Sequence, residues 1–431
     1  MQVHLAYGER GLDVELPEGT DVVLPAESTA LADPESALRE ALASPIGSKP
    51  LSELVGPDDH VTIVFSDLTR PAPNRMIAPA LLRVVEGAGV PREQITLLIG
   101  TGLHRGMSAE ELDSLLGAEV AQDYRVVVHD AQDPDSLTFL RRYPDERRGG
   151  IYLNSAYMDA SVRIVTGFVE PHIFAGYSGG GKGVLPGVAA APNIMRNHNA
   201  ENLLNPSATF CTGPGNPIFE EMREVAVASD VTFLCNVTLT ADRGVSGFFC
   251  GDLVAAHDAA MAEVDRSAVR TVPHAYDIVV GTNGGYPADL NVYQSIKGMA
   301  AAARAVREGG AIVIASECRE GVGNADYAEF LSSRENPEAL MALLLEPGFH
   351  RVDQWGIQCQ AMAQLRADVH LYSSLDAGTV RAAHLIPCED VEATVGELAR
   401  RMEGESAERA KVLALPLGFQ AVPIVQSAQA N

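Results

Sequence analysis

Apolar and polar positions alternate between two rhythms along this chain. Residues 60–66, H-V-T-I-V-F-S, form a compact apolar run suited to a buried parallel strand. The run stops at D-L-T-R-P, and apolar residues then recur at helical spacing over 74–87. A second strand is predicted over 95–99 and ends in G-T-G-L-H-R. Ser108 then caps a helix, with Glu111 placed to complete a capping box. A third strand over 125–128 ends in His129-Asp130. This β-α-β-α-β rhythm means a parallel sheet with helices on both faces. A strand at 162–165 feeds a long glycine-rich loop. A helix over 217–228, a strand over 231–237 and a helix over 252–264 close the first domain.

The segment R-T-V-P-H-A-Y-D lacks periodicity and reads as a linker. A strand at 278–280 restarts the pattern and ends in G-T-N-G-G-Y-P. A helix then carries Tyr293, Gln294 and Lys297 towards Arg307. Strands are predicted at 311–315, 370–372 and 412–415, and helices at 336–344, 352–366 and 391–402. The fold class is therefore α/β: two α/β domains with mainly parallel sheets and an active-site cleft between them. Residues 1–270 are assigned to the N-terminal domain and 275–408 to the C-terminal one. Residues 409–431 form a C-terminal segment expected to pack back on the N-terminal domain, and the final Q-S-A-Q-A-N is expected to fray.

Composition narrows the function classes. A chain of 431 residues is too long for one core, which agrees with two domains. A net charge of −25 without any basic stripe excludes a nucleic-acid binder. No apolar run reaches the length of a membrane span, and the N-terminus lacks a signal-peptide layout. The six cysteines are scattered without a C-x-x-C pair, so reduced thiols and a cytoplasmic location are expected. A homo-oligomer stays open.

The chemistry concentrates in the glycine-rich loop over 169–189, which holds Glu170, His172 and Lys182. Three readings compete. As a phosphate cradle the loop fits G-x-x-x-x-G-K, but Gly183 stands where a P-loop needs Ser or Thr, and Pro186 interrupts the helix that should follow. As a structural turn it carries a solvated lysine. As a reactive loop it presents a lysine that carries a cofactor covalently. His172 lies ten residues before Lys182 and His198 sixteen after it. The strand-end clusters at 67–70 and 100–105 should bring Asp67, Arg70 and His104 to one rim, because ligands bind beyond the carboxyl ends of parallel strands.

Five segments stand in order from residue 66 to 298: S-D-L-T-R-P, G-T-G-L-H-R, E-P-H-I-F-A-G-Y-S-G-G-G-K-G-V-L-P-G, R-N-H-N and N-V-Y-Q-S-I-K-G. With them the chain resembles the nickel-dependent lactate racemase family. The resemblance implies a nickel-pincer nucleotide, a pyridinium-3-thioamide-5-thiocarboxylic acid mononucleotide. It joins a lysine through its thioamide and holds nickel by two sulfurs, one carbon and a histidine. By motif, Lys182 is the implied anchor and His198 the nickel ligand. His104 and His172 are the implied acid/base pair, with Asp67 and Arg70 orienting at the site. Thr101, Ser178, Gly179, Gly180 and Gly181 are the implied cofactor-binding residues. Arg70, Tyr293, Gln294, Lys297 and Trp355 are the implied substrate contacts. The implied partners are a small 2-hydroxy acid and the cofactor-synthesis enzymes. One departure is Gly181, where the family commonly has Arg.

Elementary chemistry agrees with such a division of labour. Racemising a 2-hydroxy acid means breaking an unactivated Cα–H bond, and loss of hydride is easier than loss of a proton beside a carboxylate. The hard step then belongs to a cofactor. Serving both faces of a flat 2-oxo acid calls for two bases with pKa near neutrality, for which histidine is suited. Arginine suits the substrate carboxylate, and imidazole with sulfur suits square-planar nickel. The plainer readings are structural: His129, His257, His274, His350, His370 and His384 as satisfied histidines, Arg70 as a surface turn, Gln294 and Lys297 as a solvated stripe, Trp355 as core. Two other functions compete, a zinc hydrolase with His104, His172 and His198 as ligands, and a non-catalytic phosphometabolite binder.

Overall fold

The computed structural model describes residues 1–143, 145, 148–406 and 408–426. The expected fraying of the tail concerns 427–431, which lie outside the described residues. The chain divides into two compact units: one of residues 28–198 and 205–265, the other of residues 1–27, 199–204 and 266 onward.

The first unit is built on strands β1 (Val61–Ser66), β2 (Ile95–Gly100), β3 (Arg125–Val128), β4 (Val162–Phe168), β5 (Phe233–Leu239) and β6 (Val245–Gly251), in the order β6-β5-β4-β1-β2-β3. All neighbours are parallel except β6, which runs antiparallel at the edge. Five consecutive residues of β1 are buried, because helices cover both faces of the sheet. One core layer joins Ile63, Phe65, Leu97 and Ile164 to Ile77, Leu81 and Val85 of helix α1 (Asn74–Gly87). Each such side chain contributes about 1.5–3 kcal/mol on burial. The register sets Ser66 opposite Gly100, so the loops beginning at Asp67 and Thr101 leave the sheet side by side. The capping box of Ser108 and Glu111 opens helix α2 (Ala109–Leu116) as expected.

The second unit carries a wholly parallel sheet of β7 (Tyr276–Thr282), β8 (Val306–Ala315), β9 (Ala367–Tyr372), β10 (Ile386–Cys388) and β11 (Val412–Leu415), with Asp21–Val22 as the far edge. Its order is β10-β9-β8-β7-β11, then Asp21–Val22.

Here the expected boundaries are corrected. Residues 1–27 belong to this unit. Their hairpin, Gln2–Leu5 with Leu12–Glu15, buries Val3, Leu5, Val14 and Leu16 against Ile278, Val280 and Val313. The C-terminal strand β11 belongs to this unit, not to the N-terminal one. All four residues of β11 are buried, and they need cover on both faces, which a central place beside β7 provides. The expected linker is partly a strand, since Val269–Val272 pairs with Val422–Val425. The helix after β7, α6 (Val292–Ala303), stops short of Arg307, which already lies in β8. Among the described residues no helix is long and apolar enough to cross a membrane.

Candidate active site

Beyond the ends of β1 and β2, Asp67 and His104 meet. Asp67 Oδ2 lies 2.6 Å from His104 Nδ1, and Oδ1 accepts from the hydroxyl and backbone N–H of Thr69 at 2.5 and 3.1 Å. Burial of Asp67 opposes its ionisation, but His104, Thr69 and Arg70 outweigh burial and hold the carboxyl below its usual value. An ionised carboxylate only accepts, so His104 carries a proton on Nδ1, and its Nε2 is bare when the ring is neutral. The His104 side chain is about half exposed while Asp67 is buried. That is the arrangement of a base held by an orienting carboxylate. Arg70 joins them by its backbone N–H to Asp67 O and by its charge.

Lys182 sits in a 3₁₀ turn, Gly180–Gly183, of the long loop after β4. Two glycines are needed for close approach. Gly180 is at φ +51°, and a Cβ there would stand 2.2 Å from His257 Nδ1. A Cβ on Gly181 would stand 2.6 Å from Met222 O, in helix α4 (Pro217–Ala228). An arginine at 181, as in the family pattern, would therefore need this helix or the loop to shift. Asn236 Oδ1 accepts from Gly180 N–H at 3.0 Å, and His257 Nε2–H donates to Ser178 O at 3.0 Å. Gly102 N–H donates to Gly187 O at 3.0 Å, which ties the His104 turn to the lysine loop.

The hydroxyls expected to face a cofactor are engaged in this frame. Thr101 donates to His129 O at 2.6 Å, and Ser178 donates to Phe168 O at 2.7 Å while accepting from Glu170 N–H. Gly179, Gly180 and Gly181 are buried; the N–H of Gly180 is taken by Asn236 Oδ1 of β5, and those of Lys182 and Val184 by the loop's own carbonyls. A phosphate cradle loses those donors.

His172, Phe174 and His198 form a row of rings. Phe174 stands edge-on to both histidines, with centroids 4.7 Å from His172 and 5.0 Å from His198. His198 ends helix α3 (Ala191–Asn197) and is buried. Burial first, then the ammonium of Lys182, pushes its pKa down to about 3. It is therefore a neutral imidazole, the form that binds a metal. Ala175 N–H donates to His172 Nδ1 at 3.2 Å, so the neutral His172 ring carries its proton on Nε2. Accepting a proton there requires this long bond to switch. Among the described residues no group of three or more His, Cys, Asp or Glu is placed to hold a metal ion. His104, His172 and His198 thus do not form a three-histidine zinc site.

In the second unit, Tyr293, Gln294 and Lys297 lie half-buried on α6. Lys297 Nζ donates to Gln294 Oε1 at 3.1 Å and stands 5.4 Å over the Phe419 ring. Trp355 is not a core residue: it is half-buried, on helix α7 (Gln354–Arg366), and its Nε1–H donates to the Tyr293 oxygen at 3.3 Å.

Sequence reading missed Asn236 as part of the loop's frame, and read His257 only as a satisfied histidine. The signal for Asn236 was a polar residue inside the apolar strand F-L-C-N-V-T-L. His257 is buried and stacks on Phe219 at 5.9 Å. Burial pushes its pKa down to about 4, although the bond to Ser178 O opposes this. Between about pH 6.5 and 4 the unfolded chain then binds more protons at this position than the folded one. Its contribution is complete above about pH 6.5 and falls as pH drops towards 4, by up to ~1.4 kcal/mol per pH unit. Urea midpoints across this range should show a shallower slope for His257→Gln than for the unsubstituted protein. An unchanged slope would contradict the neutral assignment.

Residues 7–210 match the model of the lactate racemase N-terminal domain and residues 272–422 that of the C-terminal domain. A lactate racemase of Thermoanaerobacterium thermosaccharolyticum is 30% identical over 427 residues, covering 97% of this chain and 98% of the relative. A lactate racemase of Lactiplantibacillus plantarum is 33% identical over 389 residues, 89% of this chain and 90% of the relative. The structure of the Thermoanaerobacterium thermosaccharolyticum lactate racemase apoprotein superposes with a TM-score of 0.88 over 99% of this chain and 100% of that one. A Thermotoga maritima protein, 18% identical with a TM-score of 0.69 over 93% of this chain and 100% of its own, shares the fold. Both units, and the loops that carry Asp67, His104, Lys182 and His198, fall within these matches: the chain belongs to the lactate racemase family.

Proposed function

We propose that this chain is a cytoplasmic racemase or epimerase of 2-hydroxy acids, with lactate or a related acid as substrate. The observation that carries the reading is the Asp67–His104 pair tied through Gly102 and Gly187 to the loop of Lys182. It supports a reading in which His104 is the held base and the half-buried Lys182 the anchor of one site. The named activity of the relatives supports the reaction class.

The residues fit the nickel-pincer nucleotide that the family implies. Lys182, on a loop fixed by Asn236 and His257, would hold the nucleotide by an amide-like bond, and the neutral, buried His198 would supply the one protein ligand that nickel still needs. The absence of a three-ligand cluster among the described residues agrees with a metal whose other donors come with the nucleotide. The hydroxyls of Thr101 and Ser178, engaged in the frame, would shape the loop of Gly179, Gly180 and Gly181 around the anchored nucleotide. When bound, this group supplies a hydride acceptor.

The chain's own residues do the rest. His104 takes the substrate hydroxyl proton on Nε2, and Asp67 steadies the imidazolium that results. His172 serves the opposite enantiomer once its Nδ1 contact switches. Arg70 binds the substrate carboxylate in a bidentate fork, and Tyr293, Gln294, Lys297 and Trp355 are assigned to substrate binding. Phe174 keeps water from the rings of His172 and His198.

A screen of single enantiomers tests the reading. The protein is made together with the cofactor-synthesis enzymes, and products are resolved by chiral chromatography. Interconversion of at least one 2-hydroxy acid is expected. A loaded protein that racemises none of them contradicts the proposal.

A further inference from the structure

Asp353 opens α7 as its N-cap, a position where aspartate ordinarily accepts from the first N–H groups of the helix. Here it makes no such bond. Its backbone sits at φ 64°, ψ 7°, the left-handed region that disfavours L-residues. Its carboxylate turns to two side chains instead. Oδ1 accepts from the Tyr293 hydroxyl at 3.2 Å, and Oδ2 accepts from Asn324 Nδ2 at 3.0 Å. The Tyr293 ring is wedged edge-on against Tyr327, with centroids 4.9 Å apart. Burial first, then the charge of Asp353, raises the Tyr293 pKa far above its usual range, so the phenol keeps its proton.

A phenol has one proton and two lone pairs. Asp353 takes the proton and the Trp355 N–H takes one lone pair, so what Tyr293 has left to offer is an acceptor. The same bond engages the indole N–H. A backbone outlier that gives up its capping bond to fix a neighbour is a sign of function at that neighbour.

We propose that Asp353 is a specificity-determining residue: it holds the Tyr293 hydroxyl, and through it Trp355, as a wall that accepts hydrogen bonds but donates none. The wall admits 2-hydroxy acids whose side chain is apolar or ends in a hydroxyl, and bars those with a second carboxylate. This rests on the reading that Tyr293 and Trp355 border the substrate. A carboxylate brought against the wall exchanges water's donors for an acceptor, with the charge of Asp353 behind it, and loses about tenfold to a hundredfold in kcat/KM. A side-chain hydroxyl can donate to Tyr293 and loses nothing comparable.

Two variants separate charge from shape. Asp353→Gly suits the left-handed backbone and releases the Tyr293 proton to face a ligand. Asp353→Asn tolerates the same backbone and keeps an acceptor for the phenol. kcat/KM is measured for lactate, glycerate and malate with each loaded protein. Binding is read separately from the emission of Trp355, the only tryptophan, in apoprotein titrated with the same acids. The unsubstituted enzyme should favour lactate and glycerate over malate about tenfold to a hundredfold. Asp353→Gly should lose most of that ratio and Asp353→Asn should keep most of it. Trp355 emission should answer malate only in Asp353→Gly. Equal use of malate and lactate by the unsubstituted enzyme, or an unchanged ratio in Asp353→Gly, overturns the proposal. If the loaded enzyme racemises none of the three, the racemase reading fails. Emission then still decides on Asp353: an equal response of the unsubstituted protein to malate and lactate, or none to any acid in either protein, refutes its role.

Discussion

Replacing Lys182 with alanine is expected to abolish turnover and leave the fold standing. The loop is framed by other groups: Asn236 holds Gly180, His257 holds Ser178, and Gly181 lies flat on Met222. The backbone bonds at 182, from its N–H to Gly179 O and from Gly187 N–H to its O, survive in alanine. Stability should therefore change by about 1 kcal/mol or less, as for a substitution that opens no core cavity. Activity should fall below detection, because no other amine of this loop can anchor a cofactor. Circular dichroism melts and chiral product analysis read the two halves of the expectation. The mass of the peptide holding residue 182, from protein made with the cofactor-synthesis enzymes, should show an adduct on lysine and none on alanine. Residual racemisation by Lys182→Ala, or an unmodified Lys182 peptide from active protein, would remove the anchor from the account.

Replacing either His104 or His172 with alanine should stop net racemisation, because each direction needs one histidine to take a proton and the other to return one. Each contributes roughly 10²–10⁴-fold by general acid–base catalysis. The two variants should still differ. Each keeps one base, so each should form 2-oxo acid from one enantiomer in a single turnover, and the enantiomers should be opposite. The half-reactions should also be unequal. His104 stands ready with a bare Nε2 and a carboxylate behind it, whereas His172 must first release Ala175 N–H. His172→Ala, which retains His104, should give the faster burst. Trapping the 2-oxo acid with a hydrazine after mixing with single enantiomers measures both. A shared enantiomer preference would show that the two histidines do not flank the substrate.

Much of the fold was legible from pattern. Helix α1 and strand β3 begin and end where apolar spacing put them, and Ser108 caps as its capping box required. These elements are fixed by local periodicity and local hydrogen bonds. The place of residues 1–27 and of β11 was not legible. A strand's neighbours in a parallel sheet are chosen by long-range burial, and nothing inside V-L-A-L says that it lies beside β7. Gly and charged residues at 307–310 hid the first half of β8. At the site, the chemistry-bearing residues were readable because glycine, histidine and lysine crowd one loop. The frame was not: Asn236 and His257 come from a strand and a helix far along the chain, and only packing brings them under Gly180. Thr101 and Ser178 show the converse, since side chains expected to face a ligand are turned into the frame.

The most direct test of the central claim follows a single hydrogen. L-lactate labelled with deuterium at Cα is incubated in ordinary water with the cofactor-loaded protein, and the D-lactate is isolated and weighed by mass spectrometry. If Cα–H leaves as hydride and returns to the same carbon while the histidines handle only the hydroxyl proton, D-lactate forms and keeps its deuterium. D-lactate that has exchanged its label for solvent hydrogen contradicts the account; if another 2-hydroxy acid is the one interconverted, the same label on its Cα reads the same two outcomes.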